Sequence, residues 1–206
     1  MISLTGRKFL RTRIAPTPSG YLHLGNLASF IFTAGLARRC GASILLRIDD
    51  MDRERVRPAY VADIFETLHY LGIPWDEGPV DAVDFVQNFS QVQRMYLYRE
   101  ALSYLAATGA VFGCDCSRSA LAENAPDGVY PGTCLSKKLP LDAPGVCWRL
   151  KTPDDAAVLL HDLARGRKSF PLPPSMWYFV VRKKDGFPAY QLTSVVDDIH
   201  FGVDLV

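Results

Sequence analysis

The sequence predicts an α/β fold with parallel strands, on three observations. A short apolar run from Phe9 to Ala15, broken by arginines, reads as a strand that ends in the stiff turn Pro16-Thr17-Pro18-Ser19-Gly20. An amphipathic helix follows at once, with Leu27, Phe30, Ile31 and Ala34 on one face. A second short run, Ser43 to Ile48, is continuously apolar rather than alternating, as in a parallel strand buried on both sides.

Each element carries local signals. Strand one takes roughly residues 9–14, and helix one roughly residues 26–39. Cys40-Gly41 ends that helix: the glycine allows a left-handed cap, and Arg38 and Arg39 suit the negative end of the dipole. Cys40 is read as packing. Pro58 to Leu71 is a second amphipathic helix, with Val61, Ile64, Phe65 and Leu68 on one face and Pro58 near its start. The segment Leu71-Gly72-Ile73-Pro74-Trp75-Asp76-Glu77-Gly78-Pro79 is a rigid turn. A third helix runs from about Ser90 to Thr108, with Val92, Met95, Tyr96, Leu102 and Leu105 spaced for burial. Further on, Val146 to Leu150 reads as a strand, and Ala157 to Arg167 is an apolar stretch that turns at Gly166. Met176 to Arg182, Lys183-Lys184-Asp185-Gly186 and Phe187 to Val196 read as strand, turn and strand.

Composition sets wider bounds. The 206 residues suffice for one domain, or one with an insertion, and 49% hydrophobic with 22% charged residues is ordinary for a soluble globular chain. A net charge of +1 gives no overall sign of nucleic-acid binding, though a local basic face is compatible with it. No run is apolar enough to span a membrane, and the N-terminus lacks the pattern of a secretory signal. The five cysteines are an odd number, and two stand in a tight C-x-C; both facts suit a reducing, cytoplasmic compartment and a metal site better than a disulfide framework.

Three places could carry chemistry. At the start of helix one, unpaired backbone N–H groups and the dipole favour a bound phosphate. Gly25 there leaves room for a flat ligand, and His23 supplies a ring nitrogen. Alone, His23-Leu24-Gly25 reads as an ordinary strand-to-helix turn with an incidental histidine. At the end of strand two, Asp49 in Arg47-Ile48-Asp49-Asp50-Met51-Asp52-Arg53 lies where α/β sheets bind ligands and could hold a cationic group; a solvated acidic loop is the alternative. Third, Cys114-Asp115-Cys116 is followed after a loop by Cys134, a set of soft thiolates suited to zinc, or else three buried structural thiols. Cys147 is the reserve fourth ligand.

The stretch Arg13-Ile14-Ala15-Pro16-Thr17-Pro18-Ser19-Gly20-Tyr21-Leu22-His23-Leu24-Gly25-Asn26 resembles the signature region of the class I aminoacyl-tRNA synthetases, glutamyl branch, which reads close to R-F-A-P-S-P-T-G-x-L-H-x-G. Thr17 and Ser19 exchange the two hydroxyl residues, and Asn26 replaces the last residue of the H-I-G-H form. Arg47 to Asp52 resembles the branch's R-I-E-D-x-D, with Asp49 one methylene shorter than the glutamate that contacts the substrate amine. Leu71 to Pro79 is similar to L-G-x-x-W-D-E-G-P, and Pro188 to Asp198 to P-x-Y-x-x-x-x-V-V-D-D. There a tyrosine lines the glutamate pocket and a polar residue four positions later helps, which implies Tyr190 and Ser194. Zinc-bearing bacterial glutamyl-tRNA synthetases use C-x-C and then C-x-H. The shorter glutamyl-queuosine tRNA(Asp) synthetases use C-x-C and Y-x-x-x-C. Cys134 is followed by Leu135 and Ser136, and Tyr130 precedes it by four, so the resemblance implies Cys114, Cys116, Tyr130 and Cys134 as ligands.

The resemblance implies a Rossmann-type class I synthetase catalytic domain with a zinc-bearing insertion. Residues 1–110 would be its first half, 111–175 the insertion facing the tRNA acceptor end, and 176–206 the start of the second half, with its C-terminal part missing. Relatives continue with an arginine that pairs with the substrate carboxylate and with a K-M-S-K-S-type loop. The expected reaction is ATP-dependent activation of L-glutamate to glutamyl-adenylate, with Mg2+ accompanying ATP, then transfer to RNA. His23, Gly25 and Asn26 would face ATP; Arg13, Ala15, Thr17, Asp49, Tyr190 and Ser194 would form the amino-acid pocket. The expected acceptor is queuosine in the anticodon of tRNA(Asp), acted on by a monomer. The alternatives are a catalytic fragment charging tRNA(Glu) and a fragment that binds ligands without turnover.

Overall fold

The structure, a computed structural model, describes residues 9–124, 128–153 and 155–206. The chain divides into two compact units. Among the described residues, one comprises 9–97 and 194–206, and the other 98–124, 128–153 and 155–193.

The first unit is the predicted α/β part. Strand β1, Arg11–Ile14, pairs in parallel with β2, Ser43–Leu46, in the register Arg11 to Ser43 through Ile14 to Leu46. The crossover between them is helix α1, Leu24–Cys40, and Gly41 caps its end at φ 70°. Its buried face is Phe30, Ala34, Ala37 and Cys40. Ile31, expected on that face, is exposed, because the buried stripe turns toward the small residues that let the helix lie close to the strands. Helix α2, Pro58–Tyr70, buries all four predicted positions, Val61, Ile64, Phe65 and Leu68. These side chains join Ile14, Ile44, Leu46, Ile48, Ile73 and Phe85 in one core. The turn after α2 runs back along the sheet: Leu46 N–H donates to Glu77 O at 2.8 Å. On the other edge of β1, Leu205 N–H and Asp204 N–H donate to Arg11 O at 3.2 and 3.1 Å.

A short helix α3, Ala82–Asp84, leads through a π-turn, Phe85–Phe89, and a 3-10 turn, Gln91–Arg94, into α4, Met95–Ala107. This region departs from the expected apolar stripe. Val92 and Tyr96 are exposed, and from Ser90 on the buried positions are Ser90, Gln91, Arg94, Tyr98 and Leu102. Three of those are polar, so hydrophobic spacing alone could not find the face.

In the second unit, β3, Val111–Cys114, then α5, Arg118–Asn124, precede β4, Cys147–Leu150. Strands β5, Ala157–Asp162, and β6, Gly166–Pro171, form an antiparallel hairpin. Strand β7, Val180–Arg182, completes an antiparallel sheet in the order β3-β4-β7. The last helix, α6, Tyr190–His200, corrects the strand expected over Phe187 to Val196. Leu192, Thr193 and Asp197 are its buried positions, and Ala189 just before it is buried as well. Their spacing is helical, and the Thr193 hydroxyl donates back to Tyr190 O at 3.0 Å.

Candidate active site and cysteine cluster

The parallel ladder carries on past β1 and β2 and thereby positions the signature loop. Arg47 N–H donates to Ile14 O and Asp49 N–H to Pro16 O, each at 2.9 Å. Arg13 and Ala15 therefore lie beside Arg47 and Asp49 at the carboxyl ends of the strands, where an α/β sheet presents its ligand site. Asp63 of α2 steadies the loop by accepting Leu22 N–H at 2.9 Å.

His23 is the N-cap of α1. Its Nδ1 accepts Gly25 N–H at 3.1 Å, and Asn26 Oδ1 accepts His23 N–H at 3.1 Å, a reciprocal capping arrangement. A Cβ on Gly25 would stand 3.0 Å from His23 Cε1, so the space beside this glycine is filled by the His23 ring itself. With Nδ1 accepting, the neutral ring carries its proton on Nε2, and that edge can donate to an acceptor outside. Thr17 is exposed, and Ala15 is half-buried.

Asp49 and Arg47 are 2% and 3% exposed. Arg47 reaches Asp49 through Nε at 2.7 Å and Nη2 at 3.0 Å. The same guanidinium meets Asp198 through Nη1 at 2.5 Å and the Ser194 hydroxyl through Nη2 at 3.2 Å. Arg13 Nε donates to Asp198 Oδ1 at 2.7 Å. Behind them, Asp197, fully buried, accepts from Arg94 at 2.9 and 3.0 Å and from Gln91 at 3.1 Å. Three guanidinium groups thus face three carboxylates. Burial pushes the Asp49 carboxyl up, against the pull of Arg47. Burial also works to lower the Arg47 guanidinium, but Asp49, Asp198 and Asp197 outweigh it and the group is raised. Arg13, Ala15, Asp49 and Ser194 are brought together here. Tyr190 belongs to the other unit, at the start of α6, and is 56% exposed. Arg47, Arg94, Asp197 and Asp198 were given no role from sequence. Their signal was present as arginines and paired aspartates inside apolar surroundings.

The second unit holds the cysteine cluster. The sulfurs of Cys114, Cys116 and Cys134 all lie within 4.8 Å of one another. Cys116 and Cys134 are 3.4 Å apart, and Tyr130 Oη donates to Cys114 Sγ at 3.4 Å. Cys147 is not in this group; its thiol donates to the Cys114 carbonyl at 3.3 Å. Hydrogen bonding from Cys147, then from Tyr130 and Arg149, overcomes burial and brings the Cys114 thiol down to about 3. Burial and its sulfur neighbours push Cys116 up to about 11, and burial above all raises Tyr130. As protein groups alone, these favour one thiolate ringed by proton donors, which a cation would invert. The set could hold a metal.

A parallel βαβ unit, a loop capped by histidine and a buried guanidinium–carboxylate cluster at the carboxyl ends of the strands define an α/β domain with its candidate ligand face there. The chain belongs to the class I tRNA synthetases (E and Q): residues 9–131 match the catalytic domain of that family. It is 39% identical over 197 residues to the glutamate–tRNA ligase of Dehalococcoides mccartyi strain BAV1, covering 92% of this chain and 40% of that protein. It is 40% identical over 205 residues to the glutamyl-Q tRNA(Asp) synthetase of Symbiobacterium thermophilum, covering 93% and 62%. The crystal structure of a glutamate–tRNA synthetase from Elizabethkingia anophelis shares the fold, with a TM-score of 0.76, 24% identity, and coverage of 95% of this chain and 43% of that one. The chain thus spans less than two thirds of the length of these relatives. Among the described residues, no helix is long and apolar enough to cross a membrane.

Proposed function

We propose that the protein to which this chain belongs activates L-glutamate with ATP and transfers the glutamyl group to queuosine in the anticodon of tRNA(Asp). One carboxylate oxygen of glutamate attacks the α-phosphorus of ATP; the bond to the bridging oxygen breaks and pyrophosphate leaves with the electron pair. A queuosine hydroxyl then attacks the acyl carbon, loses its proton, and releases AMP. The protein's task is positioning and stabilisation of phosphate charge. The outward Nε2–H of His23 and the N-terminus of α1 would receive phosphate oxygens, with Gly25 and Asn26 maintaining that end. Arg13, Ala15, Thr17, Asp49 and Ser194, all of the first unit, would line the amino-acid pocket; Tyr190 is assigned to it by the sequence resemblance alone. To meet the substrate amine, one Asp49 oxygen exchanges an Arg47 hydrogen bond for one from the ammonium. Mg2+ would accompany ATP.

The acceptor rests on one observation, the donor set around Cys114. Zinc–sulfur bonds of about 2.3 Å in a tetrahedron put sulfurs roughly 3.8 Å apart, and a zinc-bound oxygen about 3.5 Å from sulfur. The 3.4 Å contact of Tyr130 Oη with Cys114 Sγ fits that spacing, while Cys147 stands outside the group of three sulfurs and donates its thiol to the Cys114 carbonyl. Cys114, Cys116, Cys134 and Tyr130 would hold zinc, which cross-links the loop. This tyrosine-type set goes with the glutamyl-Q reading, and the 40% identity to a glutamyl-Q tRNA(Asp) synthetase agrees with it. The second reading, charging of tRNA(Glu), is favoured by the 39% identity to a glutamate–tRNA ligase. The test is transfer of labelled glutamate, with ATP, to queuosine-bearing tRNA(Asp) and to tRNA(Glu), by this chain and by the uninterrupted gene product. Label on tRNA(Asp) alone is expected; label on tRNA(Glu) alone selects the second reading. No label on either RNA from both proteins leaves a fragment that binds without turnover.

A further inference from the structure

Arg149 on β4 is 8% exposed, yet its charge meets no carboxylate among the described residues. Its guanidinium carbon lies over the Tyr130 ring, 3.8 Å from the centroid, as a cation–π partner. Nη1 donates to Tyr178 O at 2.8 Å, the buried Nε has no acceptor among the described residues, and the guanidinium also lies close enough to Cys114 to help lower its thiol. A buried cation with an unpaired N–H is costly unless negative charge is close by. The nearest source of such charge is the cluster that Tyr130 enters through its hydroxyl. Three thiolates and one phenolate on a dication leave a net charge of roughly −2, itself costly to bury without a counter-ion.

We propose that Arg149 is a positioning residue of the metal centre, supplying the buried counter-charge and clamping the Tyr130 ring in its ligand orientation. The inference rests on the reading of Cys114, Cys116, Cys134 and Tyr130 as ligands. Phe112 stacks near the same ring at 6.4 Å between centroids and Tyr178 meets it edge-on at 6.2 Å, so the ring is walled on its other sides by uncharged groups. Among the described residues, Arg149 is the cation over its face. Lysine could deliver charge there, but not a planar group over the ring or the bond to Tyr178 O made from the same group.

Zinc affinity of the full 206-residue chain, measured by competition with a chromophoric chelator, tests this. Far-UV circular dichroism checks that each variant is folded. Arg149→Met is expected to weaken zinc binding by about 10- to 100-fold at unchanged stoichiometry, and Arg149→Lys by less. In a Tyr130→Phe background the ring stays but the phenolate leaves the metal, so the charge to be offset falls from roughly −2 to roughly −1 and Arg149→Met should cost clearly less than in the wild type. Wild-type affinity in both Arg149 variants overturns the inference. So does a loss of the same size with Tyr130 present or absent. Failure of the underlying reading looks different: the wild-type chain takes up no zinc, or Tyr130→Phe has no effect while Cys147→Ser abolishes binding.

Discussion

Arg47 holds Asp49 by both carboxylate oxygens, at 2.7 and 3.0 Å, across two residues of chain. A strand places alternate side chains on one face, so a bidentate pair at this separation needs no excursion of the backbone. The pair is then tied to α6 through Asp198 and Ser194. Arg47→Met leaves Asp49 buried without its partner and removes one cation from Asp197 and Asp198. Breaking a buried pair from one side costs about 3–5 kcal/mol. Urea unfolding should show a loss of that order; a change within experimental error would mean the cluster is wet and the pair weak.

Gly78 is a second point of rigidity. Its φ is 105°, and a Cβ would stand 2.2 Å from Leu46 O, a backbone atom that cannot step aside. The close approach exists because the turn lays Glu77 against β2. Gly78→Ala is expected to destabilise the fold by roughly 2–4 kcal/mol, from strain and steric overlap together. An unchanged urea midpoint would show that this turn yields freely.

The β5–β6 hairpin offers a pH test. Asp162 accepts Ala164 N–H at 2.8 Å and Arg165 N–H at 2.9 Å, with Arg165 the larger influence, and both bonds hold its carboxyl below the ordinary value of 3.8. A lowered acid stabilises the native form above its unfolded value and loses that contribution as pH falls through the native one. An NMR titration of the Asp162 carboxyl carbon should therefore have a midpoint below 3.8, accompanied by shifts at the two turn amides. A midpoint at or above 3.8 would refute the turn bonds in solution.

The first unit was legible where apolar pattern and burial coincide. Val61, Ile64, Phe65 and Leu68 announce α2, and Gly41 announces the end of α1. Legibility failed where polar groups take core positions. On α6 the buried set includes Thr193 and Asp197, so the apolar pattern left behind, rich in valine, reads as a strand. Gln91 and Arg94 hide the face before α4 in the same way. Those polar groups are buried because they serve one another: Gln91 and Arg94 both donate to Asp197. The cysteine cluster was legible because C-x-C and the later cysteine are few and chemically distinct. The stack of Arg149 on Tyr130 was not, since nothing in the spacing pairs a strand arginine with a loop tyrosine.

His23 gives two separable effects. As an N-cap it accepts Gly25 N–H, and loss of a cap acceptor costs about 1 kcal/mol. As a proposed phosphate ligand it acts through the opposite edge of the ring, Nε2–H. Asparagine can replace the cap acceptor but has no group at the distance of Nε2. His23→Asn should therefore keep the urea midpoint near that of the wild type, whereas His23→Ala should lower it. Both should lose glutamate-dependent exchange of pyrophosphate into ATP in the uninterrupted gene product, by about 10²-fold or more if the ring stabilises transition-state charge. Retained exchange in His23→Asn, beside a stability loss in His23→Ala, would make the residue a helix cap and nothing else. The phosphate would then be held by the backbone N–H groups of α1 alone.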